Sequence, residues 1–88
     1  MQSISIVTPN LRVIILDMSE VTMLDMSAII AIESIKESLD KQQIGLVINN
    51  LQPRMVLKLR RAGIRFKPRK LQFSRTLKDG IAIARNMH

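Results

Sequence analysis

The chain has 88 residues and a net charge of +7; 47% of it is hydrophobic, and Phe66 and Phe73 are its only aromatic residues. That length holds one domain and not two, and the apolar fraction suits a folded chain rather than a disordered one. With no cysteine and a single terminal histidine, His88, the chain has no disulfide, no thiolate metal site and no imidazole for a core catalytic triad.

Residues 3–8 alternate weakly and stop at Pro9-Asn10, a turn signal, so 1–10 is read as a lead-in or N-terminal edge segment before a domain over 11–88. Residues 11–17, with Val13 to Leu16 at their centre, predict a strand buried on both faces. A second apolar stretch, Val21 to Leu24, leads to Asp25. From Ala28, apolar residues recur at Ala28, Ile32, Ile35 and Leu39, with Ala31 widening the stripe, which predicts an amphipathic helix. Glu33, Lys36, Glu37 and Lys41 supply favourable charge pairs along it.

Ile44 to Ile48 reads as the next strand, ended by Asn49-Asn50. Pro53 suits the first position of a helix over 53–62, with Met55, Val56, Leu59 and Ala62 inward and Gly63 as its left-handed C′ residue. Ile64 to Pro68 is extended and basic, and Leu71-Gln72-Phe73 reads as a short strand. Ser74 is placed to cap a last helix over 75–86 with Leu77, Ile81 and Ala84 inward. Gly80 weakens that helix by roughly 1 kcal/mol relative to Ala. Strands and helices alternate, which predicts an α/β fold with parallel strands.

No apolar run approaches the roughly 20 residues that span a bilayer, and no signal-peptide pattern follows Met1, so the module itself is expected to be soluble. The absence of cysteine fits a reducing compartment. Charge is unevenly distributed: residues 1–50 carry three Lys or Arg against six Asp or Glu, and residues 51–88 carry eleven against Asp79 alone. Arg54, Lys58 and Arg61 fall on one helical face, and Arg60, Arg65, Lys67, Arg69 and Lys70 extend the positive field. Such a surface is either a solvated face or a site for an anionic partner: lipid headgroups, an acidic protein or a nucleotide. The near absence of aromatics argues against nucleic acid.

The turn Asp25-Met26-Ser27-Ala28 stands at a helix head, where unpaired N–H groups favour negative charge. Asp25 or Ser27 either caps the helix or offers an anion site or a hydroxyl open to phosphorylation. No Gly-rich phosphate loop, nucleophile elbow or paired histidine is present. Asp17, Glu20 and Asp25 cluster without a basic companion, so no catalytic residue and no metal ligand is assigned.

Taken in order, Val13-Ile14-Ile15-Leu16-Asp17, Val21 to Ala28, Asn50-Leu51-Gln52-Pro53, Leu59 to Ile64 and Phe73 to Ala82 resemble the STAS domain, over about residues 11–86. The resemblance implies a small mixed, mostly parallel sheet with helices packed on it and an opening strand before residue 11. In anti-sigma factor antagonists of this family the turn is Asp-Ser-Ser-Gly, with the second Ser phosphorylated. Asp25 and Ser27 match the Asp and that Ser; Met26 and Ala28 replace the first Ser and the Gly. In this the turn is more similar to the tails of SulP-type anion transporters.

The resemblance therefore implies a non-catalytic regulatory or interaction domain of a sulfate or other anion permease, on the cytoplasmic side of the membrane. Its partners would be the parent's transmembrane domain, another cytoplasmic protein or anionic lipid headgroups. The alternative is a free-standing anti-sigma factor antagonist switched at Ser27, and a third reading is an accessory subunit of a membrane lipid-transport system. No cofactor is expected; nucleotide binding is a family-level expectation with no residues assigned to it.

Overall fold

Short runs of Ile, Val and Leu form the strands, and the 3.6-residue patterns between them form the helices. The computed structural model describes residues 2–7 and 12–87. The elements are β1 (Gln2–Val7), β2 (Arg12–Asp17), α1 (Met26–Lys41), β3 (Ile44–Asn49), α2 (Pro53–Arg61), β4 (Leu71–Ser74) and α3 (Leu77–Asn86). They build a four-stranded sheet in the order β1-β2-β3-β4. β2, β3 and β4 are mutually parallel, and β1 lies antiparallel to β2 at the edge, with Ile4 opposite Ile15. The weakly alternating opening segment is thus a paired edge strand; the Pro9-Asn10 turn lies outside the described residues.

Side chains alternate across a strand, and here both faces are covered. On one face Leu16, Leu46, Ile48 and Leu71 pack with Ile29 and Ile32 of α1 and Met55 and Leu59 of α2. On the other, Val13, Ile15 and Val47 pack with Ala84 and Met87, joined by Ile6, Ile81 and Ile83. This two-sided burial explains the near-continuous apolar runs of β2 and β3.

α2 ends as its sequence predicts. Gly63 has φ +91°, its N–H donates to the Arg60 carbonyl at 3.1 Å, and the Ile64 N–H donates to the Leu59 carbonyl at 2.9 Å. This is a Schellman motif, and it turns Ile64 back into the core beside Leu59.

Several local expectations change. α1 starts at Met26 rather than Ala28, because Asp25 caps it. Ala31 and Ala62 are exposed, while Ile29 is buried in place of Ala31. The buried stripe is therefore rotated slightly from the one read on Ala31. The expected Glu33–Lys36 and Glu37–Lys41 pairs do not form; the ion pair among the described residues is Lys70–Asp40 at 3.4 Å. Exposed pairs of this kind hold long side chains in place for little gain.

α3 starts at Leu77, capped by Thr76, whose Oγ1 accepts from the Asp79 N–H at 3.1 Å. Ser74 is not the cap. It is the last residue of β4, buried, and its Oγ donates to Asn49 Oδ1 at 2.8 Å. Gly80 lies over this pair: a Cβ there would sit 3.0 Å from Ser74 Oγ. Leu77, expected inward, is 43% exposed, because the later start of α3 turns its first residue to the rim.

Candidate functional site

The parallel strands send the heads of all three helices to one end of the sheet, the end where β2, β3 and β4 finish. After β2, the Met18 N–H donates to the Asn49 carbonyl at 2.9 Å, and Val21 N–H closes a turn onto the Met18 carbonyl at 3.0 Å. Met18 and Leu24 are buried and anchor the segment. Asp25 is extended, with φ −90° and ψ 177°, and its Oδ1 accepts from the Ala28 N–H at 2.8 Å. The capping role at this turn thus falls to Asp25. Ser27 is left exposed in the first turn of α1.

A contact from α2 holds the turn from behind. Lys58 Nζ donates to the Leu24 carbonyl at 2.7 Å. Asp17 is also engaged locally: Oδ1 accepts from the Ser19 N–H at 3.1 Å and Oδ2 from Ser19 Oγ at 3.0 Å. The acidic residues that cluster in the sequence are thus held in turn and cap geometry rather than converging. Among the described residues no group of three His, Cys, Asp or Glu side chains is arranged to hold a metal.

Large apolar side chains stand exposed at the turn beside Asp25 and Ser27. Met23, Met26 and Ile30 are 72%, 69% and 59% exposed. Met26 and Ile30 stand four apart on α1 and so share a face, as do Ser27 and the exposed Ala31. Ser27 therefore sits beside an uncovered apolar strip. Exposed clusters of this kind mark interaction surfaces more often than single exposed aliphatics do. The sequence held the signal: Met26 and Ile30 lie off the stripe formed by Ala28, Ile32, Ile35 and Leu39.

The basic residues do not form one face. Arg54 stays at the head of α2, its Nε donating to Gln52 Oε1 at 3.0 Å, and Lys58 reaches to Leu24. Arg60, Arg61 and Arg65 instead line a recess with Leu57 near the other end of α2. Lys67, Arg69 and Lys70 follow in the loop into β4, where Lys70 meets Asp40. Separately, a groove of about 750 Å³ runs along the outer edge of β4 between α2 and α3, with Phe73 and the arginines Arg60 and Arg75 in its walls.

The segments that carry the resemblance form β2, the capped turn before α1, the start and end of α2, and the passage from β4 into α3. A family model described as the STAS domain matches residues 3–80. The chain belongs to the STAS domain family. The match includes β1, so the strand that the resemblance implied ahead of residue 11 is present. This STAS domain is 43% identical over 51 residues to Sulfate transporter 1.1 of Arabidopsis thaliana, an overlap of 58% of the chain and 8% of that protein. No solved structure matches it. No described helix of the STAS domain is long and apolar enough to cross a membrane.

Proposed function

We propose that this STAS domain is the non-catalytic regulatory module of a SulP-type anion transporter, and that it works by docking the head of α1 against a protein surface on the cytoplasmic side. The observation that carries the reading is the uncovered strip of Met23, Met26 and Ile30 around Ser27, on a turn already stabilised from within by Asp25 and Lys58. A rigid exposed apolar strip binds at low ordering cost, because its backbone is ordered before the partner arrives. Similarity to the sulfate transporter supports the choice of parent. Met26 and Ala28 support docking over a phosphate switch, since they give the turn bulk and apolar area where the antagonists carry Ser and Gly.

The test is anion uptake by cells that express the chain from its own locus. Tagged chain should be recovered with a SulP-type transporter, within one polypeptide or bound to one. Met26→Lys combined with Ile30→Lys should lower sulfate uptake several-fold at unchanged abundance. Unchanged uptake after complete loss of the chain overturns the proposal.

A further inference from the structure

The end of the molecule opposite the α1 head has its own surface. From Arg60 to Lys70 the chain carries six Lys or Arg and no Asp or Glu. Part of that charge has a structural explanation: Arg60 and Arg61 close the last turn of α2, where cations offset the helix dipole. Arg65, Lys67 and Arg69 lie beyond the helix, where the dipole does not account for them. Phe66 stands among them at 58% exposure, whereas the other aromatic residue, Phe73, packs against the core.

The turn that follows Phe66 is closed by its own hydrogen bonds. Lys67 and Leu71 exchange both backbone bonds at 2.9 Å, and Lys70 N–H closes onto the Lys67 carbonyl at 3.0 Å. Arg69 takes the left-handed conformation, φ +68°, that this tight turn requires. Arg65 Nε reaches the Arg60 carbonyl at 3.4 Å, which ties the loop to the end of α2. Asp40 is the carboxylate that meets this loop, and Lys70 lies 3.4 Å from it. The remaining cations of the loop form no ion pair among the described residues.

We infer that this end docks on an anionic lipid bilayer, with Phe66 entering the headgroup region and Arg60, Arg61, Arg65, Lys67 and Arg69 contacting lipid phosphates and carboxylates. An acidic protein would satisfy the charge, but an exposed aromatic ring flanked by basic residues has a second counterpart in the acyl boundary of a membrane. Basic side chains near such a surface are each worth about fivefold in binding, and the effect falls with salt. One buried aromatic adds an apolar contribution that salt does not screen. The inference does not depend on the transporter reading, because the membrane supplies the whole partner.

The chain contains no Trp and no Tyr, so Phe66→Trp creates a single reporter within the basic stretch. Purified Phe66→Trp chain is titrated with vesicles of phosphatidylcholine, alone and mixed with phosphatidylserine. A blue shift and partitioning with the mixed vesicles only, weakened by added salt, is the expected result. Arg65→Gln and Arg69→Gln should each weaken partitioning about fivefold, and Phe66→Ser should lower it several-fold with an unchanged far-UV spectrum. Equal binding to neutral vesicles, or partitioning without a blue shift, overturns the inference. So does binding to a polyglutamate peptide with no binding to vesicles, which assigns the surface to an acidic protein. None of these arms contains a transporter, so failure here leaves the proposed docking of α1 standing.

Discussion

The Lys58 ammonium donates to the Leu24 carbonyl at 2.7 Å, and so ties the middle of α2 to the segment that aims α1. Leu24 is buried one residue before the cap at Asp25. Lys58→Met removes the donor and keeps most of the aliphatic stem. The expected cost is about 1 kcal/mol, toward the low end for a charged hydrogen bond because the site is partly solvated. Urea denaturation reads the loss of stability, and faster amide exchange at Ala28 and Ile29 would locate it at the turn.

Asp25 and Ser27 are distinguished by their stability effects. Asp25→Ala removes the side-chain acceptor of the Ala28 N–H and should cost about 1 kcal/mol. Ser27→Ala, at an exposed position in the helix, should change stability by no more than about 0.5 kcal/mol. A larger loss for Ser27 than for Asp25 in thermal unfolding contradicts the assignment of the cap.

A negative charge at Ser27 should separate fold from function. Ser27→Asp places a carboxylate in the first turn of α1, where the helix dipole favours it by about 0.3–1 kcal/mol. The melting temperature should therefore hold or rise slightly. Partner docking should weaken, because the charge lies beside Met26 and Ile30 and must be desolvated in the interface. Co-purification with the proposed transporter partner measures the second effect.

Gly80→Ala should destabilise despite the better helix propensity of Ala. The new Cβ would meet Ser74 Oγ at 3.0 Å, and that oxygen is held by its 2.8 Å bond to Asn49. Ser74→Ala alone leaves the buried Asn49 oxygen without its donor and should cost about 1–3 kcal/mol. In that background the obstructing oxygen is gone, so Gly80→Ala should become neutral or stabilising by up to about 1 kcal/mol. A double-mutant cycle in urea checks the coupling; strict additivity would show that the two positions do not interact.

Much of the architecture was legible in local patterns. The β-branched run Val13 to Leu16, the spacing of Ile32, Ile35 and Leu39, Pro53 at a helix start and Gly63 at its end each carry their signal within a few residues. They therefore specify β2, α1 and both ends of α2 without reference to tertiary contacts. Asp25 and Ser27 were singled out in the same way, although spacing alone did not say which of them caps.

The tertiary structure decided whatever depends on residues far apart in the chain. The opening segment Gln2–Val7 becomes a strand because β2 offers it an edge. Ser74 turns inward because Asn49, 25 positions away, supplies a buried acceptor, and Thr76 takes over as the cap. Lys58 is drawn toward the Asp25 turn because the Leu24 carbonyl, 34 positions away, accepts from its ammonium in a partly buried setting. The single positive field read from composition then divides, with Arg54 and Lys58 toward the Asp25 turn and the Phe66 loop at the other end. Sequence alone determined that this chain carries a capped helix head and a large excess of basic charge; strand direction put the capped head and the Phe66 loop at opposite ends, because the parallel strands β2, β3 and β4 send every helix head to one end of the sheet and every return loop to the other.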